Sequence, residues 1–273
     1  MALLFESQTH LLRRCLFDAH NEVGVGFPEE AYHRAFAVCC RKRGIPLAVK
    51  PTGQLRHRGR FVHTFRCDAL AWDEIVLELK AAPGGFVPEH LFQALSYPKF
   101  WRKPLGLLVN FGQEKVHVER VPWAEKPLLV QEHYTHLRAA VPQELRPMLR
   151  ALRRGILQIG QTFGLGYGAS VYARLLAVEW QHAGIAVREN AFGRACFEET
   201  DLGKFPVDAL LAGERVVCCI SALKENIGPY ELGKTQAYLR ALDLPVGLAV
   251  NFGKRALQIR GVVAPRRRVD AGG

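Results

Sequence analysis

The chain has 273 residues, of which 49% are hydrophobic and 23% charged, as expected for an ordinary globular protein. No stretch approaches the ~20 apolar residues of a membrane-spanning helix, and the first residues lack the basic start and long apolar run of a signal peptide. The formal net charge of +11 favours a polyanionic partner, nucleic acid before a membrane surface, although a merely solvated basic surface gives the same charge.

The cysteines argue against a disulfide-stabilised or zinc-bound fold. There are seven, an odd number, and none lie in a C-x-x-C spacing. Most have apolar neighbours in the sequence, which predicts buried free thiols and a reducing, cytoplasmic location.

Hydrophobic periodicity predicts the elements of the first half in the order ααβββαββ. An amphipathic helix over 8–21 ends near Gly24 and Gly26, and a second helix begins at Pro28. The predicted bounds in chain order are helices 8–21 and 28–43, strands 45–55, 61–71 and 74–81, helix 88–102, and strands 105–110 and 115–121. Helices flanking a small mixed sheet follow from this order.

The second half repeats the first. GVGFPEEAY, starting at Gly24, returns as GLGYGASVY from Gly164, and LLVNFG returns as LAVNFG. Asp68 and Asp208 are 140 residues apart, whereas Asn110 and Asn251 are 141 apart, so one residue was gained between the two pairs. The shared order indicates duplication of a whole domain.

This repeat predicts a domain at 1–121, a second domain at 149–264, a proline-containing connector at 122–148 and a basic tail at 265–273. The tail carries three consecutive arginines from Arg266, which suit either phosphate contact or a loose solubilising segment.

Charged residues in an apolar strand mark the candidate site of the first copy. Glu78 and Lys80 are two residues apart, so their side chains leave the same face of the predicted strand. A hairpin turn near Trp72 and Asp73 brings Asp68 almost opposite Glu78. Two carboxylates suit Mg²⁺ or Mn²⁺, and a lysine beside them can orient a nucleophilic water. A paired ion on an edge strand is the alternative.

The second copy separates chemistry from architecture, because it dropped most of these polar residues. Glu78 falls on Cys218 or Cys219, and Lys80 on Ile220 or Ser221, depending on where the extra residue lies. Glu29 becomes Ala169 and Gln93 becomes Lys234, whereas Tyr97 stays as Tyr238. A fold that tolerates these replacements does not require the charges of the first copy.

Further candidates lie around this set. Glu29 suits a metal-side carboxylate or an acid favoured at a helix N-terminus. Gln93 and Tyr97 share a helix face and suit substrate contact, with a core role the alternative for Tyr97. Arg58 and Arg60 belong to a basic hairpin that suits phosphate contact or plain solvation. The histidines, including His33, show no metal-binding spacing.

Taken in order, the motifs resemble the GxxExxY family of the PD-(D/E)XK nuclease superfamily. They are Gly26-x-x-Glu29-x-x-Tyr32, Asp68, Glu78-Leu79-Lys80, Gln93-x-x-x-Tyr97 and Asn110-Phe111-Gly112. The resemblance implies an α/β fold of two tandem restriction-endonuclease-like domains, each a small mixed sheet flanked by helices. It implies that Asp68 and Glu78 bind metal, that Lys80 positions water, and that Glu29 supports the metal site.

Three hypotheses follow. The first is a Mg²⁺- or Mn²⁺-dependent nuclease, with DNA favoured over RNA as the substrate. Its second copy would be an inactive binding domain or an intramolecular pseudo-dimer partner. The second is a non-catalytic interaction module. The third is a protein that binds nucleic acid through charge alone, with steep salt dependence and no metal requirement.

Overall fold

The computed structural model describes residues 4–134, 137, 141–198 and 200–264. Contacts divide the chain into one unit of Met1–Leu55 and His63–Glu125 and a second of Arg56–Val62 and Lys126–Gly273. The predicted basic tail at 265–273 lies outside the described residues. Within the described ranges, no helix has both the length and the apolar character needed to cross a bilayer.

The first unit is a mixed sheet flanked by helices, as predicted. The elements of this half of the chain are α1 (Glu6–Val23), α2 (Glu29–Lys42), β1 (Leu47–Val49), β2 (Thr52–His57), β3 (Arg60–Arg66), β4 (Ala69–Ala71), β5 (Ile75–Lys80), α3 (Pro88–Trp101), β6 (Leu105–Asn110) and β7 (His117–Pro122). The Arg56–Val62 segment, which contains the turn between β2 and β3, belongs to the second unit. The sheet order is β1-β4-β5-β6-β7. Strands β5 and β6 are parallel, and the other neighbouring strands are antiparallel.

The predicted strands 45–55 and 61–71 are each two strands, which corrects the sequence-based assignment. Lys50 has a φ of +50°, which turns the chain out of the sheet between β1 and β2. The chain rejoins the sheet only at β4, after Asp68, and β2 and β3 form a separate two-stranded ribbon. Asp68 therefore sits where the ribbon returns to the main sheet, instead of inside a long strand.

The second unit repeats this plan. Its elements are β8 (Val130–His133), a 3-10 turn (Gln143–Leu145), α4 (Arg146–Phe163), α5 (Ala169–His182), β9 (Val187–Arg188), β10 (Ala191–Phe197), β11 (Thr200–Val207), β12 (Leu210–Ala212), β13 (Val216–Ala222), α6 (Pro229–Ala241), β14 (Val246–Phe252) and β15 (Leu257–Val263). The sheet order is β8-β15-β14-β13-β12-β9. The segment predicted as a connector thus supplies β8, an edge strand parallel to β15.

A buried tyrosine organises each unit in the same way. Tyr32 on α2 stacks on Phe111, with ring centroids 4.8 Å apart and planes 7° apart. Its hydroxyl donates to the Gly24 carbonyl at 2.7 Å and accepts the Phe27 N–H at 3.3 Å. The glycine loop preceding α2 is thereby tied to the helix and the helix to the end of β6.

The second unit repeats this cluster. Tyr172 stacks on Phe252 at 3.8 Å and donates to the Gly164 carbonyl at 2.6 Å. Gly24 and Gly164 both adopt positive φ, at 79° and 60°, which a side chain would strain. The residues that persist in both copies therefore serve the fold.

We expect Tyr32→Phe to weaken the first unit and Tyr172→Phe the second, by about 1–2 kcal/mol each. Each change removes the donor to a glycine carbonyl while leaving the ring stack. Hydrogen exchange read by mass spectrometry should show faster exchange at the loop and first helical turn of the altered unit only. Equal acceleration in both units, or none in either, would contradict this.

Candidate functional site

The ribbon's return to the sheet places Asp68 opposite Glu78, as the sequence predicts. Ala69 pairs with Leu77 in the antiparallel β4–β5 ladder, so the preceding residue, Asp68, lies across from Glu78. Asp68 Oδ2 accepts the N–H of Leu79 at 2.7 Å, and the Asp68 N–H donates to the Leu77 carbonyl at 3.2 Å. Asp68 is thus held against β5 by hydrogen bonds to the residues on either side of Glu78.

Glu78 and Lys80 form a buried ion pair. The Lys80 ammonium donates to Glu78 Oε1 at 2.6 Å, and Glu78 is only 4% exposed. Burial raises the pKa of Glu78, and the nearby Asp68 carboxylate raises it further. Burial alone would lower the pKa of Lys80, but the Glu78 carboxylate outweighs this and the net pKa shift is upward. Lys80 is therefore a stable ammonium group beside two acidic side chains.

Helix α2 brings a third acid and an imidazole close to Asp68. Glu29 and His33 are one turn apart, and His33 is 7% exposed. His33 Nε2 lies 3.6 Å from Glu29 Oε1, and His33 Nδ1 lies 3.8 Å from Asp68 Oδ1. Glu29, His33 and Asp68 each offer one ligand atom within 4.8 Å of the others, so this group can hold a metal ion.

Buried polar atoms without hydrogen-bond partners show that the residues fit a cation. Four buried side-chain atoms of the described residues have no hydrogen-bond partner, and three of them belong to this set: His33 Nδ1, His33 Nε2 and Glu78 Oε2. Each such atom costs about 1–3 kcal/mol if it stays unsatisfied. Carboxylate oxygens and a neutral imidazole are ordinary ligands of divalent ions, and binding one would satisfy these atoms.

The two α3 candidates lie on the helix that packs on β5 and β6. Tyr97 belongs to a small apolar cluster with Cys67, Leu70 and Val76. Burial, with smaller contributions from Glu78 and Asp68, raises its pKa, which places the phenol near the acidic group. Gln93, four residues earlier, is half-buried. Tyr97 therefore combines a packing role with proximity to the site.

The two arginine candidates belong to the Arg56–Val62 segment, which clusters with the second unit. Arg58 binds both carboxylate oxygens of Glu179, at 2.7 and 2.9 Å. Arg58, together with His57, lowers the pKa of Glu179 to about 2. Arg60 donates to Gln181 Oε1. Both guanidinium groups, predicted to contact phosphate, are engaged by protein side chains.

Sequence reasoning missed His33, because its spacing was compared only with that of other histidines. The available signal was Glu29-x-x-x-His33, which places both residues on one helix face. The second copy offered the same hint, since Ala169 and Ala173 stand at these two positions. A joint loss of both side chains indicates a joint role.

The second unit lacks the charged set at every equivalent strand position. Lys80 pairs with Asn110 and Ser221 pairs with Asn251, so Ser221 replaces Lys80 and, two residues earlier, Cys219 replaces Glu78. This resolves the two alternatives left by the sequence. The strand keeps its apolar burial and carries no ion pair at these positions.

Asp208 is not the positional equivalent of Asp68. Leu210 pairs with Cys218 as Ala69 pairs with Leu77, so the extra residue lies between Asp208 and Leu210. Asp208 is displaced from the ladder, and its side chain is 89% exposed, against 17% for Asp68. It pairs instead with Lys234, at 2.6 Å.

The buried pair gives a stability prediction. Lys80→Met leaves Glu78 without its counter-charge and should destabilise the first unit, by up to about 3–5 kcal/mol. The double variant Glu78→Gln with Lys80→Met should recover most of this loss, because no uncompensated carboxylate remains. Urea titration followed by hydrogen exchange of β5 measures both, and a double variant no better than Lys80→Met would refute the pairing.

Comparison with known proteins agrees with this architecture. A family model described as the PD-(D/E)XK nuclease superfamily matches the chain twice, over residues 6–121 and 147–262. A comparison with curated proteins gave no significant match. Nucleases of this superfamily typically use divalent metals, which agrees with the acidic group between α2 and β5. The two matched regions span most of the chain, and the protein belongs to the PD-(D/E)XK nuclease superfamily as a tandem duplication.

Proposed function

We propose that the first unit hydrolyses phosphodiester bonds of nucleic acid, with DNA preferred over RNA, in a reaction dependent on Mg²⁺ or Mn²⁺. One observation carries this proposal. Glu29, His33 and Asp68 each offer one ligand atom within 4.8 Å of the others, and both ring nitrogens of His33 are buried without hydrogen-bond partners. The GxxE-x-x-Y sequence around Glu29 and Tyr32 supports placement in the GxxExxY branch of the superfamily.

Each side chain has a role in this scheme. Asp68, Glu29 and Glu78, with His33 beside them, would hold the ion. A divalent ion bound there lowers the pKa of water and neutralises charge on the phosphate. The Lys80 ammonium, which donates to Glu78, would orient the attacking water by hydrogen bonding. Gln93 and Tyr97 on α3 would contact the substrate strand.

A cleavage assay tests the site. Full-length protein is incubated with single-stranded, double-stranded and branched DNA, and with RNA, in the presence of Mg²⁺ or Mn²⁺. Asp68→Asn and Glu78→Gln should each lower the rate by at least about 100-fold, because each removes a charge that serves the reacting groups. Melting curves confirm that the variants remain folded.

The second copy supplies a matched control. Asp208→Asn makes the same chemical change at an exposed position outside the ladder, and it should leave the rate unchanged. Activity that is equal in wild type and Glu78→Gln would refute the proposed site. Absence of cleavage on every substrate would favour the non-catalytic interaction module.

For the second unit, we propose a role in binding nucleic acid rather than in chemistry. Helix α4 carries four arginines and no aspartate or glutamate. Arg150 and Arg154 are exposed and one turn apart, and neither forms an ion pair with any described residue. Cations without protein partners on one helix face suit contacts with successive phosphates. This role fits the net charge of +11.

We expect the double variant Arg150→Ala with Arg154→Ala to weaken DNA binding and to reduce the slope of log K against log salt by up to about 2. Arg188→Ala with Arg215→Ala is the charge-matched control, because these arginines are already paired with Glu214 and Glu144. Fluorescence anisotropy at several salt concentrations measures both. Equal slopes in the two double variants would contradict a phosphate-contacting α4.

The thiols support the proposed cytoplasmic location. All seven cysteines are free, and each except Cys196 is buried. Burial raises the pKa of the Cys218 and Cys40 thiols, which makes them unreactive. Free, unreactive thiols are compatible with a reducing compartment.

A further inference from the structure

We infer that His33 is a direct ligand of the divalent ion and that its imidazole makes the site prefer Mn²⁺ to Mg²⁺. This deepens the proposed function, since it concerns the same site. It is tested by metal binding without substrate, so its outcome is separate from that of the cleavage assay.

The distances around His33 suit a bridging ion better than direct hydrogen bonds. Its Nε2 lies 3.6 Å from Glu29 Oε1, whereas its Nδ1 lies 3.8 Å from Asp68 Oδ1 and 4.0 Å from Glu30 Oε2. Hydrogen bonds between nitrogen and oxygen are about 2.7–3.2 Å long. Two ligand atoms at about 2.1 Å from a shared ion can stand up to about 4.2 Å apart. The 3.6 Å between Glu29 and His33 lies within that span.

The burial of the His33 imidazole supports its role as a metal ligand. His33 is 7% exposed, and neither ring nitrogen has a hydrogen-bond partner among the described residues. His20, the other buried histidine of this helix pair, donates from Nε2 to the Gln113 carbonyl at 3.0 Å. A buried imidazole normally finds such a partner. His33 instead lies among three carboxylates from α2 and the start of β4.

The competing role is an imidazolium that neutralises those carboxylates without binding metal. That role requires no nitrogen–metal bond and predicts that Mn²⁺ affinity is unchanged or increased when the positive charge is removed. Direct ligation predicts the opposite. The two roles are therefore distinguishable by the sign of one measurement.

The chemistry of the donor set decides the metal class. Mg²⁺ takes oxygen ligands and keeps several waters, so a nitrogen ligand adds little to its binding. Imidazole binds transition-metal ions well, and Mn²⁺ also accepts carboxylates. One imidazole with the Glu29 and Asp68 carboxylates therefore favours Mn²⁺ over Mg²⁺. In the second unit, Ala173 stands at the position of His33 and Ala169 at the position of Glu29, so neither ligand is present there.

Full-length protein is titrated with Mn²⁺, and the concentration of free Mn²⁺ is followed by electron paramagnetic resonance. The affinity for Mg²⁺ is measured by its competition with bound Mn²⁺. Wild type should bind Mn²⁺ at least about tenfold more tightly than Mg²⁺. His33→Ala should lose about tenfold or more in Mn²⁺ affinity, while its Mg²⁺ affinity changes by less than about threefold. His33→Asp, which replaces nitrogen with oxygen, should remove the preference.

Spin-echo spectra of the Mn²⁺ complex detect a nitrogen bound to the ion. A purely structural role of His33 would give no such signal. Nitrogen coupling from an imidazole should be present in wild type and absent in His33→Ala. His10→Ala, an exposed change on α1, is the control and should retain both coupling and affinity. Melting curves confirm that each variant is folded.

Two outcomes overturn the inference. One is Mn²⁺ binding without nitrogen coupling in wild type, and the other is undiminished Mn²⁺ affinity in His33→Ala. Either result leaves the nuclease proposal standing if Asp68→Asn and Glu78→Gln still abolish cleavage. Conversely, nitrogen-coupled Mn²⁺ binding by a protein that cleaves nothing would support the inference and refute the proposed function.

Discussion

The stack of Tyr32 on Phe111 is the contact on which the first unit's site depends. The tyrosine hydroxyl ties α2 to the glycine loop before it, and the ring ties α2 to the end of β6. The next residue back, Asn110, accepts the Ala82 N–H at 2.9 Å and donates to the Ala82 carbonyl at 2.8 Å. Helix α2 and the end of β5 are thus joined through one short chain of contacts, and this brings Glu29 and His33 to Glu78 and Lys80.

The second unit shows that the same framework forms without the charged side chains of the first. Tyr172, Phe252 and Asn251 persist, while Cys219 occupies the position of Glu78. Burying a carboxylate and an ammonium in a strand costs free energy that a cysteine does not incur. The second unit, with Cys219 and Ser221 at these positions, does not bear that cost, whereas the first unit does.

The parts predictable from sequence were those set by local geometry. The turn at Trp72 and Asp73 fixes the pairing of β4 with β5, so the opposition of Asp68 and Glu78 followed from spacing alone. The break at Lys50 was not predictable, because a positive φ at a lysine has no sequence signal. The binding of Arg58 by Glu179 was also out of reach, since it joins residues 121 apart. His33 was within reach of the sequence, through its four-residue spacing from Glu29 and the loss of both side chains in the second copy.

Asp208 shows why identical letters can differ in role. The sequence alone suggests that Asp208 is the counterpart of Asp68, retained where Glu78, Lys80 and Glu29 are replaced. The ladder shows that a single inserted residue moved it out of register, exposing its side chain and removing the opposition to β13. Its pairing with Lys234, which occupies the position of Gln93, is a surface contact of little energetic value. Asp208 therefore does not occupy the position of Asp68, although the two residues align by sequence identity. A single inserted residue separates the two positions, and the strand register reveals this where the sequence letters do not.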